Sequence, residues 1–237
     1  MNVLSRRAPT PDCSSCKYRS MRMFCNLDGD ALADFESIGT QMHLPKGAVV
    51  FQEADPCDAA TVICTGQVKL SCTSRDGKTL ILKIAMPGDV LGLGAVISGT
   101  EFEVTAETIE PTLVKKIRRA DLLGFLERHG QASMHAAKAL SEEYKAAFFD
   151  ARRLALSATA AGRLASVLLD WGRMASCGGK EMRFTLGLTH EELANLAGTS
   201  RETVTRALGR FQKDKLIEIH GSSLLVLSPQ GLEHLAA

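Results

Sequence analysis

The sequence has no apolar run approaching the roughly 18 residues that a membrane span needs, and its longest candidates are broken by Gly, Lys or Asp. It has no excess of charge either. Lys plus Arg number 28 against 27 Asp plus Glu, a net charge of +1, which excludes a polybasic coat protein and an acidic disordered chain but not a local basic patch. Arg6 and Arg7 have no apolar stretch behind them, so no secretory signal is read there. Also missing are a Ser/His/Asp constellation, a Gly-rich phosphate loop and a paired acid motif, and His190-Glu191-Glu192 lacks the second His of a zinc protease. The expectation is a cytoplasmic protein that is not an enzyme. Its 237 residues, 45% of them hydrophobic, suffice for one large domain or two small ones.

Seven cysteines are present, unevenly placed. Cys13, Cys16 and Cys25 crowd the N-terminus, Cys57, Cys64 and Cys72 follow, and Cys177 stands alone. In a reducing compartment such residues are thiols or metal ligands more often than structural disulfides.

Residues 1–27 are polar and punctuated by Pro9 and Pro11, an arm that needs something other than a core to order it. Leu27, Ala31, Leu32, Phe35 and Ile38 then recur at helix spacing. From Met42 to about Ile117, short β-prone runs such as Val49-Val50-Phe51 and Thr61-Val62-Ile63 alternate with turn signals. Among these, Asp76-Gly77 marks a hairpin. This spacing predicts a β-sandwich or barrel. Asp121–Arg128 reads as a short helix, Gly130 as an interruption, and Ala132–Leu156 as a long helix. The apolar positions Ala137, Leu140, Tyr144, Ala147, Ala151 and Leu154 make a narrow seam, fitting a two-fold dimer or packing on the chain's own barrel.

In the last third, a helix from Ala160 to about Met174 precedes the Cys177-Gly178-Gly179 loop and a short strand at Phe184–Leu186. Thr189-His190-Glu191-Glu192 is a capping box opening a helix that ends at Gly198. Thr199-Ser200-Arg201-Glu202 repeats the capping pattern and opens a second helix through about Gln212. Two short helices joined by a Gly-containing turn form a helix-turn-helix, and the strand-like runs 217–219 and 224–227 add a wing. Val204, Leu208 and Phe211 face inward, leaving Arg201, Glu202, Thr205, Arg206 and Arg210 outside. Arg can pair with guanine and Glu can accept from cytosine in a major groove; Arg210, Lys213 and Lys215 suit phosphates. The pattern points to double-stranded DNA as a partner, against the alternative of a solvated basic face.

In this order, the barrel, long helix and winged helix-turn-helix resemble the CRP/FNR transcription regulators. The resemblance covers about residues 20–235 and rests on Gly66–Leu70, Pro87–Gly92, Thr199–Arg206 and Leu208–Lys213. It implies an α+β architecture: an arm (1–27), a β-roll or barrel of cyclic-nucleotide-binding type (28–130), a dimerisation helix (131–157) and a winged helix-turn-helix (158–237). It further implies a homodimer, RNA polymerase as a further partner, and base reading by Arg201, Glu202 and Arg206. Thr199, Ser200, Thr205 and Arg210 complete the expected DNA-binding set. An Arg-Glu-x-x-x-Arg reader resembles the catabolite-activator branch, whose half-site is TGTGA-like.

Where cyclic-AMP-binding members carry an Arg for the phosphate, this chain has Phe102, followed by Glu103, and no basic residue lies between Gly88 and Glu110. A buried anion would lack its counter-charge, so cyclic AMP is not expected. The arm resembles the N-terminal cysteine cluster that holds an oxygen-labile [4Fe-4S] centre in FNR proteins. Here the last gap of the trio is longer, and Leu113–Ile117, where those proteins place a fourth Cys, has none. Cys13, Cys16 and Cys25 are therefore the expected ligands, joined by Cys57 from the Asp55–Asp58 turn, read as exposed and mobile. Cys64 and Cys72 fall in strand patterns, where a buried thiol is the usual state. Structural zinc on the same four cysteines, a thiol–disulfide switch activated by Lys17, Arg19 and Arg22, unliganded thiols, a barrel effector and an architectural DNA binder remain alternatives. His43 and His135 read as ordinary polar residues rather than haem ligands.

Overall fold

The computed structural model describes residues 13–16, 19, 22–156, 159–176 and 181–236. They fall into two compact units: the chain up to Leu70 with Ile84–Tyr144, and Ser71–Lys83 with the chain from Lys145 onward. Lys17, Cys177 and the Cys177-Gly178-Gly179 loop lie outside the described residues, as does the side chain of Leu154.

After a helix α1 (Gly29–Ser37) come eight strands: β1 (Thr40–Leu44), β2 (Val49–Phe51), β3 (Ala59–Thr65), β4 (Val68–Thr73), β5 (Thr79–Ala85), β6 (Val90–Leu91), β7 (Thr105–Thr108) and β8 (Thr112–Arg118). They form two four-stranded sheets, ordered β1-β8-β3-β6 and β2-β7-β4-β5, rather than one closed barrel. Gly77 takes a φ of 78° in the expected turn between β4 and β5, and its amide donates to the Ser74 carbonyl at 2.9 Å. β3 and β8 lie inside their sheet, so Ala59–Ile63 and Thr112–Lys115 read as continuous buried runs rather than alternating ones. Their antiparallel register runs from Ala59↔Arg118 to Ile63↔Val114 and then slips to Thr65↔Leu113, leaving a bulge at Cys64.

α2 (Leu93–Ser98), α3 (Arg119–Arg128) and α4 (Gly130–Leu156) complete this part. Gly130, expected as an interruption, is the first residue of α4; the break falls at His129, which has extended backbone. One core cluster joins Phe24, Leu27, Phe35, Ile117, Leu122 and Phe125 to Ala132 and Ala136 of α4. The Phe35 ring lies 5.8 Å from Phe24 and 5.5 Å from Phe125. Burial of Phe24 and Leu27, worth about 2 kcal/mol each, anchors the end of the arm in the core. The expectation that the arm needs something other than a core therefore fails for its last residues.

The second unit carries α5 (Ala160–Ala175), β9 (Met182–Thr185), α6 (His190–Ala197), α7 (Arg201–Lys213), β10 (Ile217–His220), β11 (Ser223–Val226) and α8 (Pro229–Ala236). Its sheet is ordered β10-β11-β9, all antiparallel. Thr159 caps α5, accepting from the Gly162 amide at 2.9 Å. A Cβ at Gly162 would come within 2.5 Å of the Leu235 carbonyl, so the close approach of α8 to α5 requires glycine there.

Candidate nucleic-acid interface and thiol site

α6 and α7 are set by their caps. Thr189 and Glu192 form the expected capping box, and Gly198 closes α6 in the left-handed region at φ 58°. α7 is capped by Ser200, not Thr199: the Ser200 hydroxyl accepts from the Thr203 amide. The second capping pattern is thus a simple cap. The Glu202 carboxylate lies on its own amide and the Ser200 hydroxyl, which hold it below the usual range.

Val204, Ala207, Leu208 and Phe211 are buried, while Arg201, Glu202, Thr205, Arg206 and Arg210 share the exposed face. Besides Glu202, three of these have intramolecular partners. Thr205 Oγ1 donates to the Arg201 carbonyl at 3.0 Å and meets His190 Nδ1 at 2.9 Å. Arg206 reaches Thr203 Oγ1 at 3.4 Å, and Arg210 Nε pairs with Asp214 at 3.4 Å. Two residues that sequence reasoning missed fix this motif. Arg163 on α5 donates to the carbonyls of Ala197 and Gly198, at 2.7 and 3.1 Å. His190 ties the start of α6 to α7. The unsatisfied carbonyls at the end of any helix were the available signal.

The arm's thiols follow a period of three. The amide of Cys16 donates to the Cys13 carbonyl, Arg19 to Cys16, Arg22 to Arg19 and Cys25 to Arg22, at 2.9–3.3 Å. Turns closed in this way bring residues i and i+3 to one side, so Cys13, Cys16, Arg19, Arg22 and Cys25 share a face. Both cysteine gaps are multiples of three, which was visible in the sequence and accommodates the long second gap.

That face meets β3. The Arg22 side chain packs on Gly88, where an added Cβ would lie 2.8 Å from Arg22 Cγ. Gly88 in turn donates to the Ile63 carbonyl at 2.7 Å, and the Ile63 amide donates to Asp89 at 3.0 Å. Cys64 is the next residue. Burial pushes the Cys25 thiol up to about 12, with Cys64 the next cause and Cys13 and Cys16 adding to it against Arg22. Burial and then Cys13 push Cys64 up to about 11, opposed by Arg22 and Lys115. Thiols held so high are poor nucleophiles at neutral pH.

Cys57 is elsewhere. Its Sγ lies 3.7 Å from the Ala59 carbonyl and 3.9 Å from that of Gly92, half-buried between two core clusters. Its charged neighbours are Asp58, Glu103 and Arg119. Asp55, Pro56 and Asp58 of that turn are exposed, as expected, but the Cys57 thiol itself is packed, and the thiol placed beside the trio is Cys64. A strand pattern hides this, because only the bulge re-aims the side chain. Among the described residues, no three Cys, His, Asp or Glu side chains converge tightly enough to hold a single metal ion.

In the other core cluster of the roll, Phe102 is 5% exposed and stacks on Phe51. A Cβ at Gly92 would lie 2.6 Å from its ring. The space where the resemblance places a phosphate-binding Arg is thus filled by two aromatic rings.

Residues 162–235 match the Crp-like helix-turn-helix domain, and residues 41–129 match the cyclic nucleotide-binding domain. The chain is 27% identical, over 95% of its length and 94% of the relative's, to the nitrogen fixation regulation protein FixK of Bradyrhizobium diazoefficiens. It is 28% identical to the CRP-like cAMP-activated global transcriptional regulator of Mycobacterium tuberculosis, over 89% of this chain and 94% of that one. The structure of FixK2 from Bradyrhizobium japonicum matches with a TM-score of 0.76 at 25% identity, covering 84% of this chain and 98% of that one. No described helix is long and apolar enough to cross a membrane. With both domains matched, and the fold shared over most of its length, the chain belongs to the CRP/FNR family of DNA-binding transcription regulators.

Proposed function

We propose that this regulator acts as a homodimer on palindromic duplex DNA with TGTGA-like half-sites, alongside RNA polymerase. Its DNA affinity responds to oxygen, nitric oxide or redox state through a [4Fe-4S] group held by Cys13, Cys16, Cys25 and a fourth ligand. The observation that carries the reading is the single face shared by the three arm thiols, on a segment whose end is packed with the start of α4. A single zinc draws its thiolates to about 3.8 Å from one another through Zn–S bonds of about 2.3 Å. When bound, the [4Fe-4S] group supplies ligation that oxygen and nitric oxide destroy.

The chain's own residues transmit the change. Phe24 and Leu27 share a core with Ala132 and Ala136, and Gln131 Nε2 donates to the Asn26 carbonyl at 3.5 Å. Ordering of residues 13–25 therefore fixes the first turns of α4. Farther along that helix, Met134, Ala137, Tyr144, Phe148 and Ala151 are exposed at heptad spacing, with Tyr144 at 74% and Phe148 at 61%. Of the expected seam, Ala137, Tyr144, Ala147 and Ala151 are exposed while Leu140 packs on its own core, and Met134 and Phe148 extend the exposed stripe. A second copy pairing on it sets two recognition helices about 34 Å apart, one turn of DNA. The exposed Arg201 and Arg206 lie on the face available to base edges, and Arg210, Lys213 and Lys215 continue it toward phosphates.

The test is DNA affinity and sedimentation of anaerobically purified protein, before and after air exposure. Loaded protein is expected to be dimeric and to bind about 10- to 100-fold more tightly than stripped protein. Tyr144→Glu with Phe148→Glu is expected to stay monomeric even when loaded. Equal DNA affinity with and without iron, or one zinc per chain in place of iron, overturns the sensing reading.

A further inference from the structure

We infer that Cys64, at the bulge of β3, is the fourth thiolate of the arm's site, and that buried Lys115 on the paired strand β8 is its fixed counter-charge. This rests on the reading that Cys13, Cys16 and Cys25 hold an iron–sulfur group.

Three geometric observations meet at Cys64. The register of β3 against β8 slips between Ile63 and Thr65, so the strand carries one residue more than its partner at this point. Bulges of this kind turn a side chain out of the alternating pattern and occur next to functional sites. The arm arrives at the same place, through Arg22 packed on Gly88 and the Gly88–Ile63 hydrogen bond. Lys115 faces Val62 in the register, two residues before the bulge.

Lys115 needs an explanation of its own. It is 2% exposed, on a strand inside the sheet. Its Nζ donates to the carbonyls of Phe35 and Glu36, the latter at 3.1 Å, and lies 4.7 Å from the centre of the Phe35 ring. These partners satisfy its donors but carry no full charge, and an ammonium is costly to bury without an anion. The acidic side chains near enough to act on it are Cys13, Cys64, Glu36 and Cys25. Three of the four are thiols, which become anionic on binding iron. Four thiolates around a cubane leave net negative charge, which Lys115 and Arg22 face. Cys57 has no such setting: its sulfur meets two carbonyls, with acidic Asp58 and Glu103 near by.

The experiment uses the full chain, reconstituted anaerobically with ferrous iron and sulfide. The wild-type protein is expected to hold about four irons and four sulfides per chain. Cys64→Ser is expected to lose most of that iron and the visible absorption, while Cys57→Ser keeps both. Thermal melting of the iron-free variants checks that each is folded. Thiol alkylation of the wild type, with sites located by peptide mass, supplies a readout that needs no variant. Cys64 is expected to be protected in loaded chains and to react once a chelator has removed the iron, with Cys57 reacting equally in both. A wild-type chain that takes up no iron overturns the reading of the arm itself. A wild type that loads, with Cys64→Ser loading equally or Cys64 alkylated equally in both states, overturns the assignment of Cys64 and leaves that reading standing.

Discussion

Phe102 lies flat on Phe51, ring centroids 3.8 Å apart and planes 8° from parallel. Both rings are in the core of the roll, and the Phe102 backbone is pinned by hydrogen bonds with Asp55 and Ala54 at 3.0 and 2.8 Å. A cyclic nucleotide entering here would have to displace a stacked aromatic pair. Cyclic AMP is therefore expected to leave both the melting temperature and the DNA affinity unchanged; a rise in either would sink this account. Phe102→Ala is expected to cost about 3–5 kcal/mol of stability by opening a cavity in the core, measured by denaturant unfolding.

Arg163 and Arg206 separate positioning from reading. Arg163→Ala removes two hydrogen bonds from a cationic donor to the carbonyls ending α6, each worth about 1.5–3 kcal/mol when intact and less here because the group is partly exposed. It is expected to lower stability and to weaken binding to all DNA sequences alike. Arg206→Ala leaves folding unchanged and is expected to cost about 1–3 kcal/mol on the cognate palindrome, with relaxed preference at one base pair. Competition binding with a set of single-base variants distinguishes the two patterns.

Lys115 offers a test by charge alone. Lys115→Met keeps much of the volume and removes the positive charge beside the thiols. The oxidised, less negative state of a bound cluster is then favoured, so its midpoint potential is expected to fall by several tens of millivolts, where about 59 mV corresponds to 1.4 kcal/mol for one electron. Iron-free protein is expected to melt no lower than wild type, because an unmatched buried ammonium has been removed. An unchanged potential would reduce Lys115 to a cap on the last turn of α1.

The recognition helix and the roll were legible because their signals are local. Caps at Thr189 and Ser200, the left-handed Gly198, and the inward spacing of Val204, Leu208 and Phe211 each act within a few residues. Strands β1, β6 and β7 were missed because they are polar or only two residues long, held by partners distant in sequence. The proposed thiol site was half legible. Cys13, Cys16 and Cys25 announce themselves by spacing, whereas Cys64 is distinguished from Cys72 or Cys57 only by a register slip between β3 and β8 that depends on both strands. Likewise, Leu140 packs on its own core because which face of α4 does so depends on where Phe24 and Leu27 pack.

The joint before α4 is expected to respond to acid. His129 Nε2 lies 2.8 Å from Asp34 Oδ2, and this bond first, then Arg128, holds the Asp34 carboxyl below its ordinary 3.8. A depressed carboxylate stabilises the fold above its unfolded pKa, and the contribution is lost as pH falls through the lower folded value. As pH falls below about 4 the wild type is expected to lose stability more steeply than Asp34→Asn, with urea midpoints measured across the acid range. Parallel curves would remove Asp34 from the account.

From Ser141 to Phe149 every side chain of α4 is exposed, three aromatic rings among them. A helical stretch of that length gains little from propensity alone, since a lone helix under about 12–15 residues is marginal in water. In the proposed homodimer its order is drawn from a second copy, and folding of this stretch and association become one equilibrium governed by mass action. Melting temperature becomes a function of protein concentration, and so does the supply of competent regulator. The amount of chain a cell makes is thereby an input in its own right, multiplying whatever the thiols report.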